Sequence, residues 1–302
     1  MAAPRFFFPD TPDLPLPEKH RFPISKYRLL REKVVTEGLL GRATLTPSPL
    51  ASLEQLRRAH SAEYVAAVLN GTLTRQQQRR IGLPWSATLA RRSRVTVGGS
   101  LAAAREALVH GVSGQLAGGT HHAHRDFGSG YCVFNDLAIA ALTLLAEGAV
   151  RRVAILDLDV HQGDGNAAIL TPESQVFVAS IHGEKNFPFR KVASDLDIAL
   201  PDGTEDDAYL DAVSQAIAAV REVSPDLVLY LAGVDPLDVD NLGRLSVTSA
   251  GLRAREEFVL EQCRAAALPV AIVIGGGYAQ PIEATVDAYA ATWASACRIF
   301  SL

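Results

Sequence analysis

Five apolar runs rich in β-branched residues punctuate the second half of the chain: 152–158 (RVAILDL), 175–181 (QVFVASI), 195–200 (DLDIAL), 226–231 (DLVLYL) and 269–274 (PVAIVI). Most are continuous rather than alternating, as in strands covered on both faces of a parallel sheet. Between them, helical periodicity marks 135–147, 206–223, 248–266 and 282–299. Thr248 stands before a run of good helix formers, and Thr204 with Asp207 and its acidic neighbours suits a helix entry. The N-terminal third predicts a strand at Arg5–Phe8, a Pro-rich turn region at Pro9–Pro23, and helices near 25–37, 52–69 and 86–110. No linker, repeat or low-complexity tract divides the chain. Strand and helix alternating over at least 150 residues predict one α/β domain spanning 1–302. The expected architecture is a doubly wound, three-layer sandwich on a mainly parallel central sheet.

Composition narrows the setting. With 302 residues, 48% of them apolar, the chain can bury a core without covalent staples. Cys132, Cys263 and Cys297 are too few and too scattered for a disulfide scaffold, and none sits in a CxxC, so a reducing cytoplasmic compartment is expected. Twenty-nine basic against 33 acidic residues, a net charge of −4, argue against a polyanion binder and hence against a direct nucleic-acid partner. No run of 18 apolar, uncharged residues exists, which rules out a transmembrane helix and leaves no membrane partner to expect. The opening MAAPRFFFPD has too short an apolar stretch, with Pro and Asp too early, to be a secretory signal.

The chemistry-bearing residues gather where strands are predicted to end. GGTHHAHRD (118–126) follows the short run GQLA, DLDVHQGDG (157–165) closes the strand that begins at Val153, AGVDPLDVDN (232–241) follows DLVLYL, and IGGGY (274–278) follows PVAIVI. Ligands of open α/β sheets bind outside the carboxyl ends of the strands, so four such clusters converge on one mouth. In Asp157-Leu-Asp159-Val-His161 the polar residues alternate with period two and share one side if the strand persists that far. Two carboxylates and an imidazole suit a divalent metal, Zn²⁺ or Fe²⁺ when water holds an open position. A strand-end Asp capping the next helix is the plainer alternative, and Asp235 carries the same two readings. His121 and His122, with Asp126 nearby, are either surface residues or two halves of an acid/base apparatus; Asp157 and Asp164 could each orient one ring. Gly275-Gly276-Gly277-Tyr278 lacks GxGxxG spacing, so Tyr278 reads better as an oxyanion donor than as part of a phosphate loop. His124 and Asp126 are expected to be solvent-exposed at the mouth, His182 to lie in the core or at the rim, and Cys132 to be a small buried neighbour of the site. Arg75–Arg80 reads as a solvated loop face, and His20, His60 and His110 as structural.

At these clusters the sequence resembles the histone deacetylase superfamily of metal-dependent amidohydrolases, with the arginase–deacetylase fold. HHAHRDFGSGYCVFND, ILDLDVHQGDGN, AGVDPLDVDNLGRLSVT and GGGY occur in the family's order, and the likeness runs from LPLPEKHRFPISKYRLL to the helix after Tyr278. HQGDGN, GTEDDAYL and LGRLSVT look closer to the class IV branch and its bacterial relatives. The resemblance implies Asp159, His161 and Asp235 as zinc ligands, with His121 and His122 as tandem histidines oriented by Asp157 and Asp164. It implies His122 as general base and then acid, Tyr278 as the group polarising the scissile carbonyl, and Gly130, Tyr131 and Phe187 as walls of a narrow acyl-lysine tunnel. It further implies a monovalent cation, K⁺ in kind, at Asp157, Asp159, His161, Ser180 and the Ile181 backbone. Gln162 stands where many members have a second histidine, and no counterpart of the rim Asp of eukaryotic deacetylases is present, which argues against a histone-tail preference.

The activity so implied is zinc-dependent removal of acetyl or longer acyl groups from lysine-like amines. Deacetylation of acetylpolyamines or other small acylated amines is the alternative within the same chemistry. A catalytically silent binding protein is the alternative outside it, and the complete set of expected catalytic residues argues against it. Two-manganese ureohydrolases share the fold but need a DAHxD-type run, where this chain has DLDVHQGDG.

Overall fold

Eight strands, all parallel, line up in one sheet in a computed structural model that describes residues 3–17 and 19–302. In chain order the elements are β1 (Arg5–Phe8), α1 (Ser25–Thr36), β2 (Thr44–Pro47), α2 (Leu53–Ala59), α3 (Ala62–Asn70), α4 (Arg75–Ile81), α5 (Ala87–His110) and β3 (Val112–Gln115). They continue with α6 (Asp136–Ala146), β4 (Val153–Asp157), α7 (Asp164–Leu170), β5 (Val176–Gly183), β6 (Leu196–Leu200), α8 (Asp206–Glu222), β7 (Leu227–Leu231), α9 (Ser249–Ala265), β8 (Val270–Val273) and α10 (Glu283–Ile299). The sheet order is β2-β1-β3-β8-β7-β4-β5-β6.

Alternate residues of the central strands feed two separate cores, which is why those strands read as continuously apolar. Ala154, Leu156, Val228, Tyr230 and Ile272 face α1, α8, α9 and α10, where they meet Leu30, Tyr209, Val259 and Trp293. Val153, Ile155, Leu227, Leu229, Ala271 and Val273 face α2, α3, α5 and α6, among Leu56, Val65, Leu101 and Leu137. Each fully buried Val, Leu or Ile contributes roughly 1.5–3 kcal/mol of transfer free energy, so both layers hold the sheet. The result is the three-layer α/β sandwich expected, with every strand parallel.

Several local expectations are corrected. The 52–69 segment is two helices, because His60 leaves helical geometry (φ −118°, ψ 150°) and Ser61 caps α3 through Tyr64 N–H. Arg75–Arg80 is not a loop face but helix α4, started by a Thr74–Gln77 capping box and stopped by Gly82 in the left-handed region. β2 and α7 are additional elements; TLTP is a short, half-exposed edge strand, and α7 is seven residues long. Thr248 caps α9, whereas α8 has no side-chain cap and Thr204 instead donates to Pro201 O. β4 ends at Asp157, so Asp159 and His161 sit on the loop after it rather than in alternating register along a strand. Met1 and Ala2 of the opening stretch, and Glu18 within the Pro-rich turn region, lie outside the described residues.

Candidate active site

The chain leaves β3 and crosses to β4, and the later strands β7 and β8 fill the gap between them. That crossing places the loops after β3, β4, β7 and β8 side by side at the carboxyl edge of the sheet, the position where open α/β folds bind ligands. They line a cleft of about 1220 Å³ that includes His121, His122, Asp159, His161, Asp164, Gly130, Tyr131, Phe187 and Tyr278.

At its base, His161 Nδ1 lies 3.0 Å from Asp159 Oδ1 and 3.0 Å from Asp235 Oδ2, and the three donor atoms fall within 4.8 Å of one another. Asp159 and Asp235 are buried. The glycines of the β8 loop cradle them: a Cβ at Gly276 would overlap Asp235 Oδ2, one at Gly275 would crowd Asp159 Oδ2, and Gly276 N–H donates to Asp159 Oδ2 at 2.6 Å. Asp235 Oδ1 accepts from Val160 N–H at 2.9 Å, tying the β7 loop to the β4 loop. Burial and the neighbouring Asp159 charge push Asp235 up to about 7. Burial alone would raise Asp159 as well, but His121, His161 and the Gly276 N–H outweigh it and hold that carboxyl well below the usual range. Burial opposes the charged form of His161, yet the two carboxylates hold its ring up at about 10. Two buried carboxylates sharing one ring nitrogen form an oxygen/nitrogen donor set with surplus negative charge, and a divalent cation fits it.

Two imidazole–carboxylate couples stand beside this triad. His121 Nδ1 meets Asp157 Oδ2 at 2.8 Å, and His122 Nδ1 meets Asp164 Oδ1 at 2.7 Å. Their surroundings drive them apart. Burial disfavours a charged His121, but Asp157 and Asp159 prevail and hold it up at about 9. Burial and the adjacent His121 charge push His122 down to about 4 despite Asp164. At neutral pH one ring is therefore cationic and the other neutral.

Above them the walls are close. A Cβ on Gly130, whose φ is +52°, would sit 2.6 Å from His122 Cδ2 and 3.2 Å from the Phe187 ring. Phe187 meets His122 edge-on with ring centroids 4.9 Å apart, and Tyr131, also at positive φ (66°), lies 6.2 Å from Tyr278. Burial, then the Asp159 and Asp235 charges, push the Tyr278 phenol well up, so it keeps its proton. Ser180 pairs with Asp157 in the β4–β5 register and bonds His182 Nδ1 at 3.0 Å; Ile181 beside it is buried.

Not every expectation holds. His124 is not a solvated rim residue: its Nε2 bonds Asp164 Oδ2 at 3.0 Å. His182 is buried, and Asp126 is exposed as expected. Cys132 is buried, and burial raises its thiol well above the usual value. His60 is structural as expected: its buried ring donates Nδ1–H to His124 O and accepts at Nε2 from Asn135 N–H.

Several supporting residues carry no sequence signal of their own. Lys26, buried on α1, donates through Nζ to Gly275 O and Gly276 O at 3.0 Å and to Gly277 O at 3.5 Å, and burial pushes it down to about 8. Asp240 accepts from Tyr278 N–H at 2.6 Å and from Leu242 and Gly243 N–H. Asp136 accepts from Gly119 and Thr120 N–H, which fixes the approach to the histidine pair. Buried Arg255 on α9 donates to Gly233 O beneath Asp235.

Comparisons with known proteins give the family. The histone deacetylase domain matches residues 20–296. An uncharacterized protein of Picosynechococcus is 46% identical over 94% of both chains. A histone deacetylase-like amidohydrolase of Pseudomonas aeruginosa is 31% identical over 84% of this chain and 71% of its own length. Histone deacetylase 2 of Arabidopsis thaliana is 28% identical over 86% and 70%. The crystal structure of an HDA15 HD domain superposes with a TM-score of 0.81 over all of this chain and 89% of the other, at 22% identity, a match of fold. The chain belongs to the histone deacetylase family and is an amide-hydrolysing enzyme. No helix among the described residues is long and apolar enough to cross a membrane.

Proposed function

We propose that the protein removes acetyl or longer acyl groups from lysine-like amines, with Asp159, His161 and Asp235 holding a divalent ion, Zn²⁺ or Fe²⁺. The observation that carries this reading is the convergence of that triad with two histidine–carboxylate couples at one end of the sheet. When bound, the ion would supply Lewis-acid polarisation of the acyl oxygen and a more acidic water.

The chain's own groups account for the rest. Asp164 fixes a proton on His122 Nδ1, which leaves Nε2 free to take a proton from the attacking water and return it to the departing amine. A ring held neutral at pH 7 suits that role better than His121, which stays charged and adds positive potential beside the developing oxyanion. Tyr278, kept protonated, donates its O–H to the same oxyanion. Asp240 and Lys26 hold the Tyr278 loop, and Gly130, Tyr131 and Phe187 exclude water around the acyl-bearing chain. A monovalent cation such as K⁺ beside Asp157, Asp159, His161, Ser180 and the Ile181 backbone is part of the same reading, supported by the Asp157–Ser180 register.

The test is hydrolysis of a series of acyl-lysine peptides of increasing chain length by protein loaded separately with zinc and iron. Linear hydroxamates should inhibit competitively. Turnover of no acyl-lysine peptide by either form would refute the reading.

A further inference from the structure

The cleft above His122 is rimmed by cations. Arg21, Arg79, Arg80, Lys185, Arg190 and Arg244, all exposed, line it from separate stretches of chain. The only carboxylates lining it, among the described residues, are Asp159 and Asp164 at its base, both already engaged by histidines. Lys185 and Arg244 share Asp202 at 3.7 and 3.2 Å, whereas Arg79, Arg80 and Arg190 have no carboxylate within ion-pair distance among the described residues. A chain of net charge −4 thus presents a strongly positive mouth.

Two features show that this rim is more than a solvated surface. The Arg80 guanidinium lies 4.0 Å from the centroid of Phe127, whose ring stacks on His124 at 4.4 Å, so its charge is fixed beside the catalytic couple. Phe189 is 86% exposed at the lip, 6.2 Å from Phe187. Exposed aromatics among arginines are the composition of protein-recognition surfaces. A cleft of about 1220 Å³ also exceeds the roughly 300–1,000 Å³ of small-molecule sites.

We propose, resting on the amide-hydrolase reading above, that the substrate is an acylated lysine within an acidic stretch of polypeptide. Flanking Asp or Glu side chains face Arg79, Arg80 and Arg190, and Phe189 packs against the peptide outside the tunnel. The same charges disfavour acetylpolyamines and acyl-lysines in basic tails. Rim charges act on encounter and binding, within a Debye length of about 8 Å at physiological salt, so flank charge acts on Kd and KM and leaves kcat little changed.

The experiment uses three acetyl-lysine peptides of one length, flanked by Glu, Gln or Lys, with acetylputrescine as a competitor. Binding is read by fluorescence anisotropy and turnover is measured separately on the same peptides. At low salt the Glu-flanked peptide should bind roughly tenfold tighter than the Lys-flanked one, a ratio that shrinks at high salt. The ratio should collapse in the Arg79→Glu/Arg190→Glu variant, with circular dichroism confirming its fold. Equal binding of the three peptides, tighter binding of the Lys-flanked one, or strong competition by acetylputrescine would overturn the proposal. Preference for the acidic peptide without turnover of any peptide would support the rim assignment and count against the hydrolase reading; turnover without preference would do the reverse.

Discussion

Asp164 spans two imidazoles: its Oδ1 lies 2.7 Å from His122 Nδ1 and its Oδ2 lies 3.0 Å from His124 Nε2. An ionised carboxylate only accepts, so both ring nitrogens facing it carry protons and the free lone pair of His122 is on Nε2, away from Asp164. Asparagine offers one acceptor oxygen in place of two and turns N–H groups toward one of the rings. Asp164→Asn should lower kcat on an acetyl-lysine peptide by ~10²–10⁴ with little change in KM, and adding His122→Ala should cost little more, because the two act as a unit. Steady-state kinetics on the single and double variants decide it; full additivity would separate the two residues.

Lys26 satisfies three carbonyls of the loop that carries Tyr278. Lys26→Met keeps the apolar stem and removes the donors. It should cost about 1–3 kcal/mol in urea unfolding and at least tenfold in kcat, with KM nearly constant. Unchanged kcat in a destabilised protein would reduce Lys26 to a structural role.

Gly130 leaves no room for a side chain beside His122. Gly130→Ala should lower kcat/KM through a displaced His122 or Phe187, while stability to urea falls by about what a residue at positive φ costs, of order 1–3 kcal/mol. Wild-type turnover in this variant would contradict the packing described for the tunnel.

His60, bonded to the backbone of His124 behind the catalytic couple, makes stability pH-dependent. Burial holds its ring down to about 4, below the usual 6.5, so the unfolded chain binds the proton more readily. Its contribution is intact above about pH 6.5 and is lost as pH falls toward 4, at no more than about 1.4 kcal/mol per pH unit. Urea unfolding at successive pH values should show a stability that falls more steeply with acidification in the wild type than in His60→Gln; equal slopes would remove His60 from the account.

What could be read from the chain, and what could not, follows from how each feature is encoded. β4, β5 and β7 stand out because both of their faces are buried, leaving uninterrupted apolar runs. β2 does not, because an edge strand with exposed residues leaves no such trace. Asp157, Asp159, His161 and Asp164 are legible because one short stretch of chain, from the end of β4 to the start of α7, carries them all. Lys26 is not: its partners are backbone carbonyls some 250 residues away, and a carbonyl has no sequence identity. Asp136 and Asp240, which accept from backbone N–H groups, and Arg255, which donates to the Gly233 carbonyl, are silent because backbone partners carry no sequence identity. His124 looks exposed from its sequence because its burial depends on Asp164, which only the packing of α7 against the histidine loop brings near; Asn166 N–H bonds His121 O at 3.1 Å. Arg79 and Arg80 look like loop residues because α4 has no apolar stripe; the capping box at Thr74 and Gln77 is the signal that marks the helix.

Asp235 tests the centre of this account, since it joins the triad from a different strand end than Asp159 and His161 and touches no other catalytic group. The measurement is elemental analysis of purified, dialysed wild type and Asp235→Ala, paired with hydrolysis of an acetyl-lysine peptide and near-ultraviolet circular dichroism. The expected result is one divalent ion per wild-type chain, with both ion and hydrolysis lost in Asp235→Ala while the native spectrum persists. Wild-type hydrolysis by an ion-free Asp235→Ala protein would contradict it.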